Sequence, residues 1–397
     1  MVSSSLTNGN LASHQAEQFQ KLCNELPEAL NHGSEEQRLA AIRAAQKTIR
    51  QLQTPDEYAT QQTWAPLEIT GVAVACDLGI FKILASADRP LSTEEIVAQA
   101  HGDKKLAQRA LRFLAGHAMV EQLTADTYAA NDTTRDYATD ARVANVWSML
   151  FCMRAYAALP FWLRDIDHSN PADPKDCAWQ YGWHTREDFW QWLESHPDMS
   201  HHFNVYMTAA RSRHDDDDLT QVYPFKQLFE GSKPEDVLFV DVGGGFGQQC
   251  INLRQSIPPS AGRVILEDLP QVVKGRQIEN VEVMSVDMMT DQPIHGAKVY
   301  YFRGVLHDHS DEVCRKFLTH VKNAMNEDSR LLIHEKLVAE KDASEIVTKS
   351  DVLMMAVYAA MERSASQMKE LLESIGFKVH GQFGIGTSEW QITEATL

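Results

Sequence analysis

The chain has 397 residues, of which 44% are hydrophobic and 23% are charged, and its formal net charge at pH 7 is −18. That length predicts two or three globular domains, and so acidic a chain without a basic cluster argues against nucleic acid as a partner. The six cysteines are scattered and form no C-x-x-C pair, which argues against a zinc ribbon or a redox pair and fits reduced thiols in the cytoplasm.

The sequence shows no pattern of a targeting signal or a membrane anchor. Residues 1–14 are polar and rich in Ser and Asn, without the apolar core of a secretory signal peptide. The most apolar stretch, Val143 to Trp162, is interrupted by polar residues and by Pro160, so it falls short of the roughly 20 clean residues that a membrane span needs. We therefore expect a cytoplasmic protein with no membrane partner.

The N-terminal part of the chain is predicted to be helical. Apolar residues recur at helical spacing from Ala16 to Leu52, which predicts two amphipathic helices within an N-terminal helical extension, residues 1–55. Such helices must bury their apolar stripe, and a second subunit is one candidate surface for it. A separate domain is predicted to follow, over residues 56–160.

This second domain has the pattern of a winged helix. A mostly apolar helix over Trp64–Leu84 is followed by Ser92 and Glu95, which have the spacing of a capping box and start a second helix. A third helix is expected over about Lys104–His117, and a short hairpin over residues 119–130. The acidic charge of the chain favours a dimerisation role for this domain over DNA binding.

Aromatic residues are concentrated in the next region, a predicted helical linker and substrate-pocket region over residues 161–230. They form either a well-packed core or the walls of a pocket for a flat ligand, and the sequence leaves both open. A methionine-rich stretch further along is likewise either core or part of an apolar pocket. The candidate substrate-binding residues are Trp183, Phe203, Met207 and Met355.

From residue 231 onward the sequence alternates between strand-like and helical segments. Val237–Val240 is a short apolar run, as expected of a strand that is buried on both faces. The further strand-like runs are Arg263–Leu266, Val281–Val286, Val299–Phe302 and Leu331–His334. This alternation predicts an α/β domain with a parallel sheet over residues 231–397.

A glycine-rich loop directly follows the first of these strands, with the sequence Asp241-Val242-Gly243-Gly244-Gly245-Phe246-Gly247. Glycines at a strand-to-helix turn let the backbone approach a ligand closely. The loop alone fits NAD, FAD, S-adenosylmethionine or a purely structural turn, and its glycine spacing differs from the dinucleotide pattern G-x-G-x-x-G.

Polar groups at the ends of the next two strands narrow this choice. Asp268 ends the second strand about 20 residues past the loop, where an acid can accept hydrogen bonds from ribose hydroxyls. Asp287 and Met288 end the third strand, where a carboxylate can reach an adenine amino group and a thioether can pack on the ring. Three successive strand ends thus present groups that suit an adenosine-type cofactor.

Taken together, these motifs resemble a known family. The glycine-rich loop, Asp268-Leu269-Pro270, Asp287-Met288 and Arg303-x-x-x-His307-Asp308 are similar to the class I S-adenosylmethionine-dependent O-methyltransferases of the caffeate type and their fungal secondary-metabolite relatives, from about residue 60 to the C-terminus. The resemblance implies a Rossmann-like catalytic domain, an N-terminal winged-helix dimerisation domain, a homodimer and S-adenosylmethionine as cofactor. The cofactor-binding residues that it implies are Asp241, Gly243, Gly244, Gly245, Asp268, Leu269, Asp287, Met288 and Arg303.

His307 is the candidate general base, because it follows the fourth strand at the edge where chemistry is expected in an open α/β sheet. A neutral phenol is a poor nucleophile with a pKa of about 10, and a neutral imidazole can take its proton as the methyl group arrives. The spacing to Glu335, at the end of the fifth strand, fits a partner that orients the imidazole, and the family has a second glutamate at the place of Glu362. Asp308 is either a further catalytic partner or a helix N-cap, and no metal site is predicted.

Two reactions are compatible with this set of residues. The first is O-methylation of a phenolic or enolic secondary metabolite, aromatic or polyketide-like. The second is a pericyclic or dehydration step on the same fold, as in some fungal members of the family, with the cofactor as a fixed positive charge. A winged-helix regulator and an NAD-dependent reductase fit less well, because of the acidic charge and the glycine spacing.

Overall fold

The computed structural model describes residue 16 and residues 18–23, 25–26, 33–212, 219–384 and 389–397. By its internal contacts the chain separates into residues 1–70 and residues 71–397, which are described in turn. The predicted domain boundaries at residues 55, 160 and 230 stay predictions.

The described residues within 1–70 are mainly helical. Residues 18–23 and 25–26 are helical, and helix α1 spans Glu35–Leu52. The Ser34 hydroxyl accepts from the Gln37 amide at 3.2 Å while Gln37 Oε1 accepts from the Ser34 amide at 2.9 Å, which is a reciprocal capping box. The second predicted helix is therefore present, the described residues of the first are helical, and helix α2 (Pro55–Asp77) follows.

The first part of residues 71–397 is a winged-helix domain, as expected. The single helix predicted over Trp64–Leu84 was wrong, because the chain breaks at Gly79, whose φ of 76° is left-handed. The short elements after α2 are helices α3 (Ile80–Ala85), α4 (Thr93–Gln99) and α5 (Lys104–Gly116) and strands β1 (Leu91–Ser92), β2 (Glu121–Thr124) and β3 (Thr127–Ala129). The strands pair antiparallel in the order β1-β3-β2, and the predicted capping box of Ser92 and Glu95 starts α4.

A helical region connects this domain to the main sheet. Its helices are α6 (Asp132–Tyr137), α7 (Asp140–Asp165), α8 (Ala178–Trp183), α9 (Phe189–Ser195), α10 (Pro197–Ser212), α11 (Leu219–Val222) and α12 (Phe225–Leu228). Phe151 of α7 packs against Trp179, Phe189 and Trp192 with ring centroids 5.7 to 6.4 Å apart, so aromatic rings form a buried cluster here. Helix α7 is long and apolar enough to cross a membrane, judged by length and composition alone. The buried core helix of a globular protein meets the same criterion.

Among the described residues, seven strands form the main sheet in the order β6-β5-β4-β7-β8-β10-β9. The strands are β4 (Val237–Val242), β5 (Arg263–Asp268), β6 (Glu282–Ser285), β7 (Val299–Arg303), β8 (Arg330–Lys336), β9 (Lys378–Phe383) and β10 (Trp390–Thr396). The helices between them are α13 (Gln248–Ser256), α14 (Pro270–Val273), α15 (Asp311–Ala324), α16 (Glu345–Tyr358) and α17 (Ala365–Ser374). The five strands from β6 to β8 run parallel, which confirms the predicted α/β fold of the Rossmann type.

The antiparallel strands β9 and β10 were not predicted. Residues of β9 alternate between exposed and half-buried, and β10 contains four polar residues, Gln391, Thr393, Glu394 and Thr396, within its seven. Neither strand therefore resembles the continuous apolar runs of β4 and β7, which are buried on both faces.

Candidate active site

The candidate site lies where β4, β5, β7 and β8 reach their carboxyl ends. Because these strands are parallel neighbours in the order β5-β4-β7-β8, the loops that follow them meet at one edge of the sheet. Ligands of open α/β sheets bind at this edge, next to the strand where the winding direction changes. Here that strand is β4, which precedes the glycine-rich loop.

The glycine-rich loop has a backbone that only glycine adopts easily. Gly243, Gly245 and Gly247 have φ values of 70°, 62° and 80°, in the left-handed region where a side chain is strained. A Cβ at Gly244 would overlap the Leu266 and Asp241 side chains. The Gly243 and Gly244 amides donate to the Glu267 carbonyl oxygen at 2.9 and 3.2 Å, so β5 holds the loop in place.

A small cavity lies against this loop at the end of β4. It is lined by Asp241, Gly244, Gln248, Gln249 and Arg303. Asp241 and Arg303 are both buried, at 1% and 7% exposure, and the Arg303 guanidinium lies 4.2 Å from the centre of the Trp390 ring. The cavity itself, at about 10 Å³, has room for about one water molecule, but the glycine backbone, the acid and the cation around it are groups that suit a nucleoside with an amino-acid tail.

Asp268 contacts the glycine-rich loop itself. Its Oδ2 accepts from the Gly245 amide at 2.7 Å and its Oδ1 accepts from the Leu269 amide at 2.7 Å. To bind ribose hydroxyls as predicted, the Asp268 carboxylate must accept hydrogen bonds from them in addition to these two amide hydrogen bonds or in place of them. Leu269 follows it with a side chain that is 38% exposed, which suits contact with a bound nucleoside.

Asp287 and Met288 follow β6, as predicted. Asp287 Oδ1 accepts from the Met289 amide at 2.9 Å, and this bond shapes the turn after the strand. Met288 is half-buried and packs against the apolar core of the sheet. Their roles toward an adenine ring stay predictions.

His307 lies in a 3-10 turn, Leu306–Asp308, between β7 and α15. Its Nδ1 faces Glu362 Oε1 at 3.2 Å and Glu335 Oε2 at 4.0 Å, and its Nε2 lies 3.6 Å from Asp308 Oδ1. The structure thus brings together all four residues that the sequence analysis proposed as catalytic. Asp308 is not the N-cap of α15, a position that Ser310 takes.

The two glutamates have different partners. Glu335 Oε1 accepts from the Val305 and Leu306 amides at 2.9 and 2.8 Å, so Glu335 holds the backbone that carries His307. Glu362 contacts the imidazole directly. The sequence spacing had made Glu335 the better-fitting partner of the ring, but Glu362 is the nearer carboxylate.

Helix α16 fixes Glu362 through two residues that the sequence analysis missed. The Ser350 hydroxyl donates to Glu362 Oε1 at 2.6 Å, and Asp351 Oδ1 accepts from the Glu362 amide at 2.9 Å. No sequence signal pointed to either residue, because both come from a separate helix that packs on the site only in the folded chain.

The charges around His307 favour its protonated form. Burial opposes a charge on the imidazole, but Asp308, Glu335 and Glu362 outweigh it and raise the pKa of His307 to about 10. Burial also raises the pKa of Glu335, whereas at Glu362 the contacts with His307 outweigh burial and lower the pKa. His307 and Glu362 therefore form the ion pair, in which the ring donates from Nδ1, while the nearest carboxylate oxygen to Nε2 is Asp308 Oδ1 at 3.6 Å.

His307, Glu335 and Glu362 also lie within 4.8 Å of one another, a spacing that a divalent ion can bridge. The Oε1 atoms of both carboxylates already accept hydrogen bonds, and the imidazolium supplies the positive charge that they need. The absence of a metal from the site stays a prediction.

The predicted substrate residues lie in the aromatic region. Trp183 is held by packing, since its Nε1 donates to the Phe151 carbonyl at 3.2 Å and the Arg154 guanidinium lies 4.2 Å from its ring centre. Phe203 and Met355 border the same cluster. Met207 is half-buried on α10, and the contact of all four with an acceptor stays a prediction.

Comparisons with known proteins agree with this architecture. A model of the O-methyltransferase dimerisation domain matches residues 71–140, and a model of the O-methyltransferase domain matches residues 172–378. The O-methyltransferase gsfD of Penicillium aethiopicum is 40% identical over 386 residues, which are 96% of this chain and 97% of that protein. The demethylsterigmatocystin 6-O-methyltransferase of Aspergillus parasiticus is 30% identical over 317 residues, 79% of this chain and 81% of that protein.

A solved structure described as a pericyclic reaction enzyme superposes with a TM-score of 0.87 at 26% identity, and the match covers 96% of this chain and 100% of that one. The fold, the matching O-methyltransferase domain and the relatives together define the class of Rossmann-like, S-adenosylmethionine-dependent enzymes. Within that class, the chain belongs to the O-methyltransferase family that includes fungal secondary-metabolite enzymes. A further solved relative, also at 26% identity, is a complex with S-adenosylmethionine.

Proposed function

We propose that the protein transfers a methyl group from S-adenosylmethionine to a hydroxyl of a small phenolic or enolic metabolite, with His307 as the general base. One observation carries the proposal: the His307 imidazole, paired with Glu362 at 3.2 Å, belongs to the same sheet edge as the glycine-rich loop. Methyl transfer to oxygen needs a nucleophile, a base and a methyl donor in line, and this edge can hold all three.

His307, Glu362 and Glu335 have different roles in the transfer of the proton from the acceptor hydroxyl. S-adenosylmethionine, when bound, supplies an electrophilic methyl group. His307 accepts the proton of the acceptor hydroxyl at Nε2 while its Nδ1–H stays on Glu362, which fixes the tautomer and stabilises the imidazolium that forms. Glu335 holds the turn that carries the ring, through the Val305 and Leu306 amides.

The raised pKa of His307 means that the ring must lose a proton before it can accept one from the acceptor. With a pKa of about 10, the free site is protonated at neutral pH and must lose a proton before His307 acts as a base. A base of that strength then matches a phenol, whose pKa is also about 10. The rate is therefore expected to rise with pH through the alkaline range.

The acceptor is proposed to be aromatic or polyketide-like, because aromatic side chains cluster around Tyr358 at the end of α16. Tyr358 packs against Phe189 and Trp190 with ring centres 4.9 and 5.8 Å apart, and Phe203 packs against Phe189 at 5.2 Å. Aromatic walls with few polar groups bind flat, apolar molecules.

The test is replacement of His307 by Gln. Turnover with S-adenosylmethionine and a panel of phenols should fall by at least ~10²-fold, the lower range for loss of a general base, while cofactor affinity measured by calorimetry changes little. His320→Gln is the matched control, because His320 is a half-buried histidine of α15 that pairs with a different acid, Asp291, at 2.8 Å. Undiminished turnover in His307→Gln would remove the base assignment.

A second candidate is a pericyclic or dehydration reaction that leaves the methyl group in place. The similarity to a pericyclic reaction enzyme favours it, and so does a His307 that is held as an imidazolium, since such a group donates a proton rather than accepts one. Product mass distinguishes the two reactions: a gain of one methyl group with release of S-adenosylhomocysteine supports transfer, and an unchanged or dehydrated mass supports the alternative.

We further propose that the protein works as a cytoplasmic homodimer, since the dimerisation domain of its family is present. Light scattering coupled to size exclusion should give twice the mass of the 397-residue chain. The mass of a single chain at micromolar concentration would contradict this.

A further inference from the structure

Arg363 directly follows Glu362 and is almost completely buried, with 3% of its surface exposed. Its guanidinium donates to the carbonyl oxygens of Leu306 and His309 at 2.8 and 2.9 Å. It also donates to Asp311 Oδ1 from Nε at 3.0 Å and from Nη2 at 2.8 Å. These acceptors lie on both sides of His307 in the sequence.

The turn that carries His307 is therefore held by one anion and one cation. Glu335 accepts hydrogen bonds from the Val305 and Leu306 amides, and Arg363 donates hydrogen bonds to the Leu306 and His309 carbonyl oxygens. Buried peptide groups with charged partners form stronger hydrogen bonds than neutral pairs. The position of the imidazole relative to Glu362 thus depends on both charges.

We propose that Arg363 is a positioning residue that sets the distance between His307 and Glu362 by clamping the backbone on both sides of the imidazole. The proposal rests on the proposed role of His307 as the base. Glu362 and Arg363 are consecutive, so one short segment places both the partner of the ring and the clamp of its backbone. A displacement of about 1 Å in such a group can cost ~10²-fold in rate.

The sharpest variant is Arg363→Lys, which keeps the positive charge. An ammonium group is a point charge without the planar fork of a guanidinium, so it cannot reach two carbonyls and Asp311 together. Arg142→Lys is the matched control, because Arg142 also pairs with an aspartate, Asp136, at 2.6 Å, but belongs to α7.

The first readout needs no acceptor. In protein labelled at histidine, the NMR signal of His307, assigned by its loss in His307→Gln, is titrated in the wild type, in Arg363→Lys and in Arg142→Lys. We expect the midpoint to fall by about one pH unit or more in Arg363→Lys, because the ring loses its close carboxylate, and to stay in place in Arg142→Lys. An unchanged midpoint in Arg363→Lys would overturn the proposal.

The second readout is a double-mutant cycle on turnover. Arg363→Lys should lower kcat by ~10-fold to ~10²-fold without changing cofactor affinity, and the same change should have almost no effect in a His307→Gln background. An equal loss in both backgrounds would show a general structural role and overturn the proposal. Wild-type turnover in His307→Gln would refute the base assignment alone, because the NMR titration still tests Arg363.

Should Arg363→Lys unfold, Asp311→Asn replaces it. Asp311 is 44% exposed at its side chain and accepts two of the guanidinium hydrogen bonds, so its loss loosens the clamp without burying a new charge. A downward shift of the His307 midpoint and a loss of kcat in a folded Asp311→Asn protein support the clamp, and wild-type values for both refute it.

Discussion

Replacement of Glu362 by Gln isolates the contribution of the carboxylate nearest to His307. The amide keeps the size of the side chain and its contact with the Ser350 hydroxyl, but removes the negative charge 3.2 Å from Nδ1. Asp308 at 3.6 Å and Glu335 at 4.0 Å from the ring remain. The variant thus leaves two of the three acids around the imidazole.

The size of the effect follows from the pKa of His307. A pKa of about 10 instead of 6.5 corresponds to about 5 kcal/mol in favour of the imidazolium, supplied by three carboxylates against the cost of burial. One opposite charge at this distance is worth about one to three pH units. We therefore expect the midpoint to fall by about one to two pH units and to stay above that of a free histidine.

Two measurements test this expectation. An NMR titration of His307 gives the midpoint directly, and the pH profile of turnover should show its rising limb moved to lower pH, with a plateau at least ~10-fold lower because the ring is no longer oriented. Glu312→Gln, an exposed carboxylate on α15 that pairs with Lys316, is the control. A midpoint unchanged in Glu362→Gln, or lowered equally in Glu312→Gln, would refute the assignment of Glu362 as the ion-pair partner.

Three further predictions follow from the same site. Asp268→Ala should weaken S-adenosylmethionine binding at least ~10-fold by calorimetry, since the Gly245 amide of the glycine-rich loop and the Leu269 amide both lose their acceptor; Asp268→Asn should lose less, and an unchanged Kd would remove Asp268 from the cofactor site. Dialysis against a chelator should leave turnover unchanged, whereas a loss restored by a divalent ion would show a metal at His307. Because the pKa of folded His307 is raised to about 10, the protonated ring stabilises the fold fully below about pH 6.5, and this stabilisation is lost as the pH rises towards 10. The thermal midpoint should therefore fall more over that pH range in the wild type than in His307→Gln. An equal fall of the thermal midpoint in both proteins would contradict the ion cluster.

The sheet and the edge that carries the site were predictable from the sequence because their signals are local. The apolar run before Asp241 and the glycines after it specify a buried strand and a tight turn. His307 could be placed at the same edge because it directly follows another such strand, β7. Parallel pairing then brings the two loops together without any long-range information.

The choice between Glu335 and Glu362 depended on contacts that the sequence does not encode locally. Glu335 ends a strand beside His307, so its position followed from the sheet, but its Oε1 is used by backbone amides. Glu362 lies on an irregular segment, residues 360–363, and its place depends on α16 and on the Arg363 clamp. Trp183 lies in the aromatic region and its described contacts are those of packing, so its role toward an acceptor stays a prediction.

Under the proposed function, helix α16 would couple the choice of acceptor to proton transfer. It contributes Ser350 and Asp351 to Glu362, and two turns later it contributes Tyr358 to the aromatic cluster. A substitution that tilts this helix to admit a bulkier molecule would therefore also move Glu362 away from the His307 imidazole. Lineages that diversify their substrates are expected to do so through α9 and α10 and to keep α16 constant, which restricts the evolutionary routes open to the fold.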